Sequence, residues 1–175
     1  PEPVVVVIQT TAPKQVSFRD GMAVRVALLA AALIQLVSTL AAAVGGSLML
    51  PVVLLGGGFY AVVLYSRRTG GRPDVRGGAR LGWMTGIFTF VIMTVFFTFG
   101  VVALATSNQL MQAYKESAAG LGLPQEATKQ LEQVAADPAA FAMSIVLGLL
   151  LQFILLTVMC AMGGALAARL GLKKG

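Results

Sequence analysis

The residues of this chain that carry most chemistry lie together at 67–80, RRTGGRPDVRGGAR, where five arginines and four glycines stand between two long apolar blocks. Guanidinium groups at that density suit two tasks. They hold phosphate-bearing groups through charge-assisted hydrogen bonds, and they fix which end of an apolar segment stays outside the bilayer. Arg67, Arg68, Arg72, Arg76 and Arg80 are therefore the candidate contacts to anionic phospholipid head groups or to a protein partner, each contributing about 1 kcal/mol near a charged surface. Plain topology and snorkelling account for the same arginines without a specific ligand. The glycines match neither a Walker motif nor a dinucleotide fingerprint, since no strand is expected before them and no Gly-Lys-Ser/Thr follows.

Elsewhere the reactive inventory is thin. The chain has no His, and no Asp, Glu or Lys lies inside an apolar run, so general acid–base catalysis lacks its usual participants. The single Cys, Cys160, excludes an internal disulfide framework, and without His it also excludes the common zinc sets. A small apolar core residue is its simplest role. Ser and Thr have no partner base, and Thr85, Thr89, Thr94 and Thr98 are expected to bond the carbonyls of their preceding turns. Gln35 and Gln152 are the strongly polar residues within apolar runs. They are expected to meet across the bundle, in a bond worth about 1 kcal/mol. The expectation is a protein that is not an enzyme and uses no metal or cofactor.

The elements that hold these residues are set by composition. Apolar residues make up 57% of the chain and charged ones 11%, against about a quarter charged in a soluble domain. A soluble helical bundle would need polar helix faces, and these segments are apolar all round. The net charge of +6 sits at the ends of apolar runs, which reads as membrane topology rather than nucleic-acid binding. Four spans are predicted, at about 22–43, 48–66, 81–105 and 139–168, each long enough to cross a bilayer. The fold class is thus all-α, a polytopic membrane protein of two helical hairpins, occupying 21–175 behind a linker-like lead at 1–20. The chain opens with Pro1, as a processed protein or a piece of a longer one would.

Details refine that layout. Ser17 to Asp20 supplies a cap for the first span, and Arg25 snorkels from its first turns. The run ending Ala41-Ala42-Ala43 raises a cleavable signal peptide, but a second apolar span follows at once. Val44, Gly45, Gly46 and Ser47 form the turn, with Ser47 as a helix cap, and Pro51 sits where a missing N–H does least harm. Gly56, Gly57, Gly58, Gly82, Gly86, Gly163 and Gly164 mark places where helix backbones approach closely. Gly57-Gly58 and Gly163-Gly164 each precede a basic end by about two turns, a faint echo of two related hairpins. Trp83 belongs at the interface, and Phe88, Phe90, Phe96, Phe97 and Phe99 give bulk toward lipid or a neighbouring helix. Between spans three and four, 106–138 reads as a short extracytoplasmic segment of two amphipathic helices, lying on the membrane or docking a partner. The last span exceeds the roughly 20 residues a bilayer needs, so it tilts or projects.

Counting Lys and Arg places the lead, the 67–80 segment and the C-terminus on one side, the cytoplasm. In layout, and in the stretches YSRRTGGRPDVRGGARLGWMTGIFTF and LGLPQEATKQLEQVAADP followed by a long span ending in Lys-Lys, the chain resembles bacterial four-span inner-membrane proteins grouped as a domain of unknown function. Some of those carry a zinc ribbon ahead of the membrane part, and no such cysteines occur here. The resemblance implies the bacterial inner membrane, supports the four-span architecture and adds no catalytic residue. Two functions remain in view: a non-enzymatic membrane module that packs with itself or a partner, and a small transporter or channel subunit.

Overall fold

A computed structural model describes residues 16–45, 49–106, 112 and 137–172. The lead before Val16, residues 46–48 with the expected Ser47 cap, the amphipathic pair expected within 107–136 and the terminal lysines lie outside those residues, while Val44 and Gly45, expected to open the turn, are the last residues of α1. All regular structure described is helical: α1 (Gly21–Gly45), α2 (Leu50–Thr69), α3 (Val75–Thr106) and α4 (Pro138–Leu172). Each of the four is long and apolar enough to cross a membrane.

Local chemistry sets the helix starts. Asp20 caps α1, its Oδ1 accepting from Met22 N at 3.1 Å, and the preceding turn closes through Asp20 N to Ser17 O at 3.0 Å. Pro51 falls in the first turn of α2, where its missing N–H has no intrahelical partner to lose. At the other end of α2, Gly70 takes a left-handed φ of 67° and donates its N–H to Ser66 O, a conformation that favours glycine.

This last feature corrects the expected arginine loop. The linker is confined to residues 70–74; Arg67 and Arg68 close α2, Arg76 and Arg80 belong to α3, and Arg72 alone is in the linker. α3 begins at Val75 rather than near Leu81 because Asp74 caps it, with Oδ1 accepting from Gly77 N at 2.8 Å. Charge and glycine content resemble a loop, but a Pro-Asp pair before them starts a helix.

The helices form a four-membered layer arrangement in which α2 and α3 lie at the centre, with α1 on one side and α4 on the other. α1 presents Ala23, Val26, Ala27, Ala30, Ala31 and Ile34, all at most 2% exposed, a helical-period face of mostly small residues that lets it lie close to its neighbours. Because α1 and α4 share no extended contact, Gln35 and Gln152 do not meet. Gln152 Nε2 instead donates to Met93 Sδ on α3 at 2.9 Å.

Glycines make the approach of α4 to α2 and α3 possible. A Cβ on Gly58 or on Gly82 would strike the Cys160 carbonyl, one on Gly163 the Leu55 carbonyl, and one on Gly164 the backbone of Gly78. Gly86 faces the backbone of Thr157, and Gly57 faces the Ile34 side chain. Gly56 differs from the expected crossing point: a Cβ there meets nothing within 4 Å, since it lies one residue, about 100° of helix, off the packed face. Thr85, Thr89 and Thr98 bond the carbonyls of Leu81, Thr85 and Thr94. Thr94 departs from that expectation, its buried Oγ1 having no partner.

The Gly56-Gly57-Gly58 triplet should therefore respond unequally to alanine when reversible unfolding is followed by SDS titration in mixed micelles. Gly56→Ala is expected to be neutral or stabilising by up to about 1 kcal/mol, the ordinary helix-propensity gain. Gly57→Ala should cost about 1 kcal/mol as Ile34 shifts, and Gly58→Ala about 3 kcal/mol because a backbone cannot yield as a side chain does. Equal effects at the three positions would contradict the packing described.

Candidate functional site

Among the described residues, polar groups meet open volume at the arginine-rich end and again between the far halves of α3 and α4.

The arginine-rich end is built by hydrogen bonds that join helix termini. Asp20, already capping α1, accepts from the Tyr65 hydroxyl of α2 through Oδ2 at 2.9 Å, and Tyr65 is only 4% exposed. The start of α1 is thereby tied to the last turns of α2. Thr69 Oγ1 donates to Tyr65 O at 2.9 Å, and Arg72 Nη1 donates to Gly171 O at 2.6 Å, reaching from the linker to the end of α4. That bond satisfies one of the terminal carbonyls a helix leaves unpaired, and it places a cation where the helix dipole favours one. Phe18 meets Trp83 edge to face, with ring centroids 5.9 Å apart.

Among these elements lies a cleft of about 330 Å³, lined by Val63, Ser66, Arg67, Gly70, Arg72, Pro73, Ala167, Ala168 and Gly171. Of the five arginines singled out in the sequence, the cleft brings together Arg67 and Arg72. Arg68, Arg76 and Arg80 are exposed and line other surfaces of the same end.

The second place is a groove of about 520 Å³ lined by Met93, Thr94, Phe96, Phe97, Ile145, Gly148, Leu149 and Gln152. Here α3 and α4 run beyond the cover of α1 and α2. At about 1.5 Å per residue, their 32 and 35 residues outreach the 25 and 20 of α1 and α2. Phe99 and Met143 on these far halves are 71% and 70% exposed. Gln152 and the unpartnered Thr94 hydroxyl are the polar groups in the groove. Gln35 is on α1 and does not contribute to it.

The remaining candidates serve packing. Gly57, Gly58, Gly82, Gly86, Gly163 and Gly164 all face neighbouring helices. Cys160 is fully buried, its thiol donating to Leu54 O at 3.5 Å, and no set of three His, Cys, Asp or Glu side chains converges among the described residues. Reading the sequence missed the Asp20–Tyr65 bond, the Asp74 cap and the packing role of Gly78. The Pro73-Asp74 pair is the signal that would have located the cap. Nothing local announces that Tyr65 finds a partner 45 positions away.

Comparison with family models, with curated proteins and with solved structures yields no match.

The tie between α1 and α2 has a graded signature. Tyr65→Phe should lower stability by about 2 kcal/mol, the worth of a hydrogen bond to a charged group. Asp20→Ala should cost about 1 kcal/mol more because the helix cap goes too, while Asp20→Asn should cost less than Asp20→Ala. SDS-titration unfolding measures all three; an Asp20→Ala effect no larger than that of Tyr65→Phe contradicts the double role of Asp20.

Proposed function

We propose that this chain is a non-enzymatic integral membrane module of the bacterial inner membrane that packs against a second copy of itself through the far halves of α3 and α4. Both termini and the arginine-rich end face the cytoplasm in this reading, supported by the gathering of Arg19, Arg25, Arg67, Arg68, Arg72, Arg76, Arg80 and Arg169 toward one end of the helices.

The observation that carries the proposal is the groove beside Gln152. Polar groups exposed to hydrocarbon are unfavourable, and helix association in lipid is promoted by giving them partners. The Gln152 amide gives one N–H to Met93 Sδ and keeps its second N–H and its carbonyl oxygen, so two copies related by a two-fold axis can pair Gln152 with Gln152 reciprocally. Gly148, where a Cβ would meet nothing within 4 Å, leaves room beside it for a second helix. The inward-facing glycines are already used within the chain and leave this face for contact between copies. The alternative of a small transporter or channel subunit draws no support from the groove, whose walls are mainly Met93, Phe96, Phe97, Ile145 and Leu149.

Single cysteines introduced in a Cys160→Ala background test this in native membranes. Gly148→Cys, on the groove face of α4 where a Cβ meets nothing within 4 Å, should give a covalent dimer with a short bis-maleimide. Leu28→Cys, on an apolar exposed position of α1, should not. Monomer at both positions, or equal dimer at both, overturns the proposal.

A further inference from the structure

The cleft at the arginine-rich end has an order of chemistry along the helix axis. Val63 lies one turn deeper into α2 than Arg67, and Ala167 and Ala168 form the wall from α4. The inner part is therefore apolar. The outer part holds Ser66, Arg67 and Arg72, at the level where the apolar spans end. Arg67 has no hydrogen bond or ion pair among the described residues. Arg72 is held in place by Gly171 O, which uses one of its five N–H donors and leaves the rest available.

We propose that this cleft binds the phosphate of an anionic phospholipid head group, with Arg67 and Arg72 as its cationic contacts and Val63, Ala167 and Ala168 against the upper part of the acyl chains. The phosphate chemistry is shared with free inorganic phosphate. The apolar wall on the membrane side selects the lipid, because a soluble anion gains nothing from it.

Electrostatics permits an anion here despite the two helix C-termini nearby. Each helix end contributes about half a negative charge, so α2 and α4 together supply about one against the two positive charges of Arg67 and Arg72. Some of their carbonyls are also occupied: Ser66 O accepts from Gly70 N, Tyr65 O from Thr69 Oγ1, and Gly171 O from Arg72. Asp74, the neighbouring carboxylate, is turned onto the amide of Gly77, where the positive end of α3 offsets it. The cleft volume falls at the small end of the range for ligand pockets, about 300 Å³ and upward, and suits a head group rather than a whole lipid.

The inference is independent of self-association and is read on detergent-solubilised protein by native mass spectrometry with added phosphatidylglycerol. Arg67→Gln should weaken retention of the lipid about fivefold, while Arg68→Gln, which removes the same charge from the same turn outside the cleft, should leave it near the wild-type level. Arg67 has no partner to lose, so the fold should survive its replacement, and an unchanged unfolding midpoint without lipid verifies this. Phosphatidylcholine and inorganic phosphate at equal head-group concentration should show weak retention. Equal losses for Arg67→Gln and Arg68→Gln would overturn the proposal in favour of diffuse surface charge. Retention of inorganic phosphate matching that of phosphatidylglycerol would overturn the assignment to lipid.

Discussion

The fold depends on one close contact, the seating of the Cys160 carbonyl of α4 between Gly58 of α2 and Gly82 of α3. Between helices in a bilayer, burial of apolar surface provides no driving force, since lipid tails are as apolar as the side chains. Van der Waals contact and hydrogen bonds must hold the helices together. Dispersion falls steeply with distance, so backbones that touch gain what bulky side chains would forfeit. Gly163 on Leu55 and Gly164 on Gly78 extend the same contact along α4. α1 joins on the other side through its alanine face.

The position of the arginine-rich end follows from that contact. With α4 held against α2 and α3, its C-terminal turn arrives beside the linker, and Arg72 reaches Gly171 O. The same contact leaves the far halves of α3 and α4 beyond the cover of α1 and α2, with large apolar side chains exposed and Gln152 half-buried in the groove between them. One end of the molecule is thus closed by hydrogen bonds between helix termini, and the other presents an apolar pair of helices.

Length, hydropathy and charge placement made the four helices legible, because each acts locally: an apolar run of 20 or more residues has few other fates. Caps were legible in part, as at Ser17 to Asp20. What required the structure was adjacency. Gly56 and Gly58 are the same residue type two positions apart, yet only Gly58 faces α4, and no local signal states which rotation α2 adopts. Gln35 and Gln152 were identifiable as polar groups within apolar runs, but pairing them assumed that α1 and α4 are neighbours. Gly77 and Gly78 read as loop residues because arginines surround them. Their place in a helix follows from the Asp74 cap and, for Gly78, from contact with Gly164.

The most direct measurement is a double-mutant cycle on Gly58→Ala and Gly82→Ala, with unfolding free energies from SDS titration in mixed micelles. Both methyl groups would press on the same carbonyl, so the first substitution displaces α4 and relieves much of the strain from the second. The double variant should therefore be less destabilised than the sum of the singles by about 1 kcal/mol or more, the coupling expected of residues that share a contact. Additivity within about 0.5 kcal/mol, as found for independent sites, would contradict the shared seat of Cys160 on which this account of the fold rests.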